Sequence, residues 1–163
     1  MGKRFLPDRI FRSIYEIPPG EFVKNGIQAV IFDIDDTLVA NDVKTPPQAL
    51  LDYFETLRAA GISYALISNG RKERVQLFNR DLGVFAAHRA FKPRKKPLVR
   101  AMRAMGSHKK NTALVGDQLF TDIYGGNRAG LYTILVTPIK PDETRFIKLK
   151  RKLETRILKN AGK

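Results

Sequence analysis

The sequence predicts an α/β protein built on a doubly wound parallel sheet, and two observations carry that prediction. Short apolar runs rich in β-branched residues alternate with longer amphipathic segments, the β-α repeat that places parallel strands side by side. Each of the main runs ends in polar or charged residues, as expected where an open sheet exposes the carboxyl ends of its strands to ligand.

The elements follow in order. Residues 5–17 carry apolar side chains at 10, 11, 14 and 17, a helical spacing that predicts a short amphipathic helix ended by Pro18-Pro19-Gly20. Residues 27–32 form a nearly continuous apolar run, the pattern of a central strand buried on both faces. The run continues into Asp33-Ile34-Asp35-Asp36-Thr37, where a period of two would turn Asp33 and Asp35 to one side. A helix is expected over 47–60, with Thr45 as its N-cap and Gly61 after its end. A second strand over 62–67 ends in Ser68-Asn69-Gly70, and a helix over 72–81 follows. That turn either caps the helix or presents a hydroxyl and backbone N–H groups to a phosphate.

A weaker third strand over 84–91 leads into Lys92-Pro93-Arg94-Lys95-Lys96-Pro97 and a helix over 97–105. A fourth strand over 111–115 runs into Gly116-Asp117-Gln118-Leu119-Phe120-Thr121-Asp122, with Asp122 in or at the start of the next helix. A fifth strand over 132–136 closes the pattern. From 142 to 163 the chain reads as a basic amphipathic helix. Phe146, Leu149, Leu153 and Ile157 form its apolar stripe, suited to a bilayer interface, a partner or the sheet itself.

The chain of 163 residues fits one domain over 1–163. Thirty Lys and Arg against sixteen Asp and Glu leave a formal charge of +14, which attracts polyanions such as nucleic acid or anionic lipid headgroups. The absence of cysteine excludes disulfides and thiolate metal sites. The first residues lack the apolar core of a signal peptide, and no stretch reaches the roughly 20 apolar residues that cross a bilayer. A cytoplasmic protein is expected, with any membrane contact peripheral and made through the basic termini.

Gathered carboxylates at a strand end need a neutralising cation, and Mg²⁺ suits an all-oxygen site shared with phosphate and water. In chain order, Asp33-x-Asp35-x-Thr37, Ser68, Lys92 and Gly116-Asp117-x-x-x-x-Asp122 together resemble the four motifs of the haloacid dehalogenase (HAD) phosphatase superfamily. Phe5-Leu6-Pro7-Asp8, Ser13-Ile14, the Lys-Pro pair and Gly125-Gly126-Asn127-Arg128 resemble its subclass IIIA, YqeG-type branch, related to mitochondrial phosphatidylglycerophosphate phosphatases.

The resemblance implies a Rossmann-like HAD core and a set of roles. Asp33 would be the nucleophile that forms an aspartyl-phosphate, and Asp35 the general acid and base. Asp33, Asp117 and the backbone carbonyl of Asp35 would hold Mg²⁺, with Asp122 in support through water or a second layer of contacts. Ser68, Asn69 and Lys92 would bind the transferring phosphoryl group, with Lys96 a rival to Lys92, and Thr37 would order the turn. Asp36 stands where the branch often has Asn and is given no catalytic role. The intervals 40–47 and 69–92 are too short for a cap domain, so an open site is expected. An open site favours a phosphate carried on something large, first an anionic phospholipid such as phosphatidylglycerophosphate. A nucleic-acid or phosphoprotein substrate is the alternative, and a phospho-acceptor switch a third reading.

Overall fold

In the computed structural model, residues 3–140 and 145–161 are described. Six parallel strands form one sheet: β1 (Arg9–Phe11), β2 (Ala29–Asp33), β3 (Ser63–Ile67), β4 (Ala86–Ala87), β5 (Thr112–Gly116) and β6 (Tyr132–Val136). Their order across the sheet is β1-β6-β5-β2-β3-β4. The helices are α1 (Pro19–Lys24), α2 (Gln48–Ala59), α3 (Lys72–Asn79), α4 (Lys96–Ala104), α5 (Tyr124–Ala129) and α6 (Arg145–Ala161). Neighbouring β3 and β5 flank β2, so the order reverses there and a crevice opens at the carboxyl end of β2.

Every residue of β2 is buried, which explains its unbroken apolar run. Val30 and Phe32 face one layer, where α2 sets Leu50, Tyr53, Phe54 and Leu57 against the sheet. Ile31 faces the other, with Ala65, Ile67 and Leu114 of the sheet and Leu98, Ala101 and Met102 of α4. The ring of Phe54 stacks on Tyr64 at 4.0 Å between centroids, fixing α2 over β3. Close approach of α5 to the sheet requires Gly126, where a Cβ would lie 2.6 Å from Thr133 Cγ2 and 2.9 Å from Leu114 Cδ2.

Four local expectations give way. Residues 5–17 are not one helix: Arg9–Phe11 pairs with β6, and a single 3₁₀ turn covers Ile14–Glu16. The edge of β6 offers unpaired backbone groups, and Asp8 N–H donates to Thr133 O at 2.9 Å as the segment docks there. Pro18 and Pro19 do not end a helix but start α1, since proline suits a first helical turn that needs no N–H donor. Thr45 is not a cap, for α2 begins after Pro47 with no side-chain cap. The third strand shrinks to Ala86–Ala87, because Arg89 and Phe91 adopt left-handed φ values of 43° and 50° that end the extended run.

The second half of α6 packs on the body. Ile157 and Leu158 rest against Leu119, Ile123 and Leu135, and Leu119 N–H donates to Glu154 Oε1 at 3.0 Å. Lys148, Lys152, Arg156 and Lys159 are exposed. Of the predicted apolar stripe, Phe146, Leu149 and Leu153 have side chains outside the described residues. Among the described residues, no helix is long and apolar enough to cross a membrane. Residues 34–47 and 68–95 hold loops, α3 and the two-residue β4, with no inserted folded unit.

Candidate active site

Strand register brings the site together. Asp33 ends β2 opposite Ile67, and Phe32 pairs with Val115, so Ser68 and Asp117 each stand at a strand end beside Asp33. Past Asp33 the chain turns sharply: Leu38 N–H donates to Ile34 O at 3.0 Å and Asp36 N–H to Val39 O at 2.7 Å. Asp36 takes a left-handed φ of 62°, a conformation Asp and Asn tolerate better than most residues. That conformational need gives Asp36 a structural reason without catalysis, and its Oδ1 accepts from Lys140 N–H at 3.2 Å.

The strand ends at Asp33, so alternation no longer fixes the side to which Asp35 turns. Three buried carboxylates do converge: oxygens of Asp33, Asp117 and Asp122 lie within 4.8 Å of one another. A wide π turn at Leu119–Ile123 aims Asp122 back at β5, where its Oδ2 accepts from Gln118 N–H at 3.1 Å. The fit depends on Gly116, since a Cβ there would lie 2.4 Å from both Cβ and Cγ of Asp122.

Lys92 is the cation of this cluster. Its Nζ lies 2.7 Å from Asp33 Oδ1 and 2.6 Å from Asp122 Oδ1, and the side chain is buried. Burial opposes the charged form, but the two carboxylates outweigh it and hold Lys92 protonated well above the ordinary lysine range. Lys96 is exposed at the start of α4. The backbone N–H of Lys92 donates to Asn69 Oδ1 at 2.9 Å, so Asn69 fixes the loop that delivers the lysine.

Thr37 Oγ1 lies 3.0 Å from Asp33 Oδ2 and 3.1 Å from Asp117 Oδ1. A hydroxyl has one proton to donate, so it serves one carboxylate at a time, and the other contact needs a proton on the acid. Burial pushes Asp33 well above the carboxylate range, against the opposing pull of Lys92. Burial and then the Asp122 carboxylate push Asp117 up to about 6. Three buried carboxylates against Lys92 and the guanidinium of Arg151 leave the cluster short of positive charge. Oxygen donors alone, gathered in this way, fit a hard divalent cation.

Asp35 sits apart with its own partners. Ser68 Oγ donates to its Oδ2 at 3.1 Å while accepting from Gly70 N–H at 2.8 Å. Arg74 Nη2 on α3 lies 3.2 Å from Asp35 Oδ1. Arg151 Nη2 on α6 donates to Asp117 Oδ2 at 3.2 Å. Sequence reading missed both arginines. The Nε atoms of Arg74 and Arg151 are buried and without a hydrogen-bond partner. For Arg151 a signal existed: Glu154, the one carboxylate between 145 and 161, marks the inward face one turn away.

The HAD-hydrolase-like family matches residues 90–147. The chain is 37% identical over 158 residues to "Probable phosphatase YqeG" of Bacillus subtilis (strain 168), covering 97% of this chain and 92% of that protein. It is 29% identical over 147 residues to phosphatidylglycerophosphate phosphatase 1, chloroplastic/mitochondrial, of Arabidopsis thaliana, covering 83% of this chain and 42% of that protein. A HAD superfamily (subfamily III A) hydrolase from Legionella pneumophila superposes with a TM-score of 0.55 at 19% identity, over 91% of this chain and 93% of that one. That last likeness bears on the fold alone.

Proposed function

The chain belongs to the YqeG-type HAD phosphatases, and on that premise we propose a Mg²⁺-dependent phosphomonoesterase with Asp33 as nucleophile. The convergence of Asp33, Asp117 and Asp122 beside Lys92 is the observation that carries this reading. Asp33, Asp117, Asp122 and the backbone carbonyl of Asp35 would hold the ion, directly or through water. When bound, it supplies positive charge that offsets the transferring phosphoryl group.

In the first half-reaction a carboxylate oxygen of Asp33 bonds to phosphorus as the bond to the ester oxygen breaks, and Asp35 protonates the departing oxygen. In the second, Asp35 takes a proton from water, which attacks phosphorus; the aspartyl–phosphate bond breaks, releasing phosphate and restoring Asp33. Ser68 and Lys92 bind the phosphoryl oxygens, with Asn69 holding the Lys92 loop. Thr37 keeps Asp33 turned toward the phosphorus.

For substrate, the name of the Arabidopsis relative and the open site favour an anionic phospholipid with a terminal phosphomonoester, phosphatidylglycerophosphate first. A cytoplasmic setting with peripheral access to a membrane goes with that choice. The test is phosphate release from phosphatidylglycerophosphate and from nucleotide, sugar and protein phosphates, with Mg²⁺ or EDTA, by wild type and Asp33→Asn. Release that needs both Mg²⁺ and Asp33 is expected, greatest for the lipid. A nucleotide or phosphoprotein preference would move the substrate, and a long-lived phospho-Asp33 without turnover would replace hydrolysis by a switch.

A further inference from the structure

Among the described residues seven large apolar side chains are exposed, and two of them, Phe91 and Ile139, adjoin residues of the site. Phe91, 61% exposed, directly precedes Lys92; Ile139, 50% exposed, donates its N–H to Asp36 O at 3.0 Å. Phe91 also holds a left-handed φ of 50°, which costs a bulky residue on the order of 1 kcal/mol or more and keeps its ring in water. The turn at Phe91 is offset within the chain, where Arg94 N–H donates to Phe91 O at 3.1 Å and Lys92 enters the acidic cluster, but the ring itself is left exposed.

Charge surrounds the same mouth. Arg71, Arg89, Arg94 and Lys95 are exposed on the loops that follow β3 and β4. Those loops are tied together, with Arg89 N–H donating to Gly70 O and Ala90 N–H to Ser68 O, both at 2.9 Å. The guanidinium of Arg94 sits over the Phe91 ring at 5.3 Å. On the acidic side, Asp42 is paired with Lys140 at 3.0 Å, and Glu73 lies in the first turn of α3. The rim is therefore cationic, with an aromatic and an aliphatic side chain beside the cleft.

We infer that this rim, rather than the basic termini alone, docks the catalytic mouth face-down on an anionic phospholipid bilayer. Phe91 and Ile139 enter the headgroup boundary, and the arginines and lysine contact lipid phosphates. An aliphatic side chain gains from hydrocarbon but not from a nucleic-acid backbone, which separates this partner from RNA. The inference rests on the lipid reading of the site, and it explains how an uncapped cleft reaches a phosphate that does not leave the membrane.

The chain contains no tryptophan, so Phe91→Trp gives a single reporter, with Val23→Trp on α1, at the opposite end of the sheet, as its control. With vesicles of equal parts phosphatidylglycerol and phosphatidylcholine, the indole emission of the Phe91→Trp variant shifts to the blue and is quenched by chain-brominated lipid. Emission of the Val23→Trp variant stays fixed. The double variant Phe91→Asn and Ile139→Ser, in which asparagine tolerates the left-handed backbone, binds those vesicles at least about tenfold more weakly and hydrolyses a soluble aryl phosphate as wild type does. Equal vesicle binding by the double variant, a fixed emission from Phe91→Trp, or a larger shift of that emission with RNA than with vesicles overturns the docking face. Loss of aryl phosphate hydrolysis by wild type itself strikes the phosphatase reading instead and leaves a blue shift of Phe91→Trp in favour of docking.

Discussion

Lys92 Nζ lies 2.6 Å from Asp122 Oδ1 while the same ammonium lies 2.7 Å from Asp33 Oδ1, so one buried cation joins Asp33 to the far side of the cluster. Replacing Lys92 with Met removes that charge and leaves two buried carboxylates uncompensated, at a cost of about 3–5 kcal/mol. Urea unfolding in EDTA should register the loss, and added Mg²⁺ should recover part of it. Phosphate release should fall by about 10²–10³ even with Mg²⁺ if Lys92 is, as proposed, a donor to the phosphoryl oxygens. Unchanged stability in EDTA would mean that the cluster is not held by Lys92.

Gly116→Ala tests the packing behind Asp122. A Cβ placed 2.4 Å from Asp122 Cβ and Cγ cannot be accommodated without moving the aspartate or β5. Asp122 then loses its bonds to Lys92 and Gln118 N–H. Activity should drop roughly 10–100-fold, the range seen when the supports of a metal site are disturbed. Mg²⁺ titration followed by thermal unfolding should show a weaker ion-dependent gain than wild type.

The central strands and the acidic cluster were legible because burial on both faces leaves a continuous apolar run, and a parallel sheet puts its chemistry where such runs stop. Asp33 and Asp117 each follow a run of that kind. What could not be read was anything set by tertiary pairing. Arg9–Phe11 is a strand only because β6 offers it an edge, and its own spacing fits a helix equally well. The family motif points to Asp122, but its route into the cluster, a π turn that one missing Cβ at Gly116 permits, is a relation between residues six apart that no periodicity encodes. Arg74 and Arg151 reach the site from helices, and among thirty Lys and Arg nothing in their spacing distinguishes Arg74.

Arg74 positions Asp35 and should reveal itself through the leaving group. Its Nη2 and the Ser68 hydroxyl hold the two oxygens of Asp35 at 3.2 and 3.1 Å. An alkyl phosphate needs a proton delivered to its departing oxygen, whereas an activated aryl phosphate does not. Arg74→Gln should therefore lower kcat about tenfold or more on an alkyl phosphate, part of the 10²–10⁴ that a general acid contributes. On p-nitrophenyl phosphate the loss should be small. Equal losses on both esters would assign Arg74 to phosphate binding instead of to Asp35.

The cluster also predicts how Mg²⁺ and protons compete. Burial, then the Asp122 carboxylate, raises Asp117 from its ordinary 3.8 to about 6, while Asp33 is raised in the same direction. A carboxyl raised on folding binds more protons in the folded than in the unfolded chain between those two values. Stability of the metal-free protein should therefore fall as pH rises from about 4 through about 6, and further where Asp33 ionises. A divalent ion takes the place of those protons, so its stabilising effect runs the opposite way, small near pH 5 and full above about pH 7. Thermal unfolding in Mg²⁺ and in EDTA across that range should show the two melting temperatures separating as pH rises. Asp117→Asn should flatten both trends, since an amide neither takes up the proton nor carries charge to the ion. A Mg²⁺ increment independent of pH in wild type would mean that these carboxylates are not its ligands.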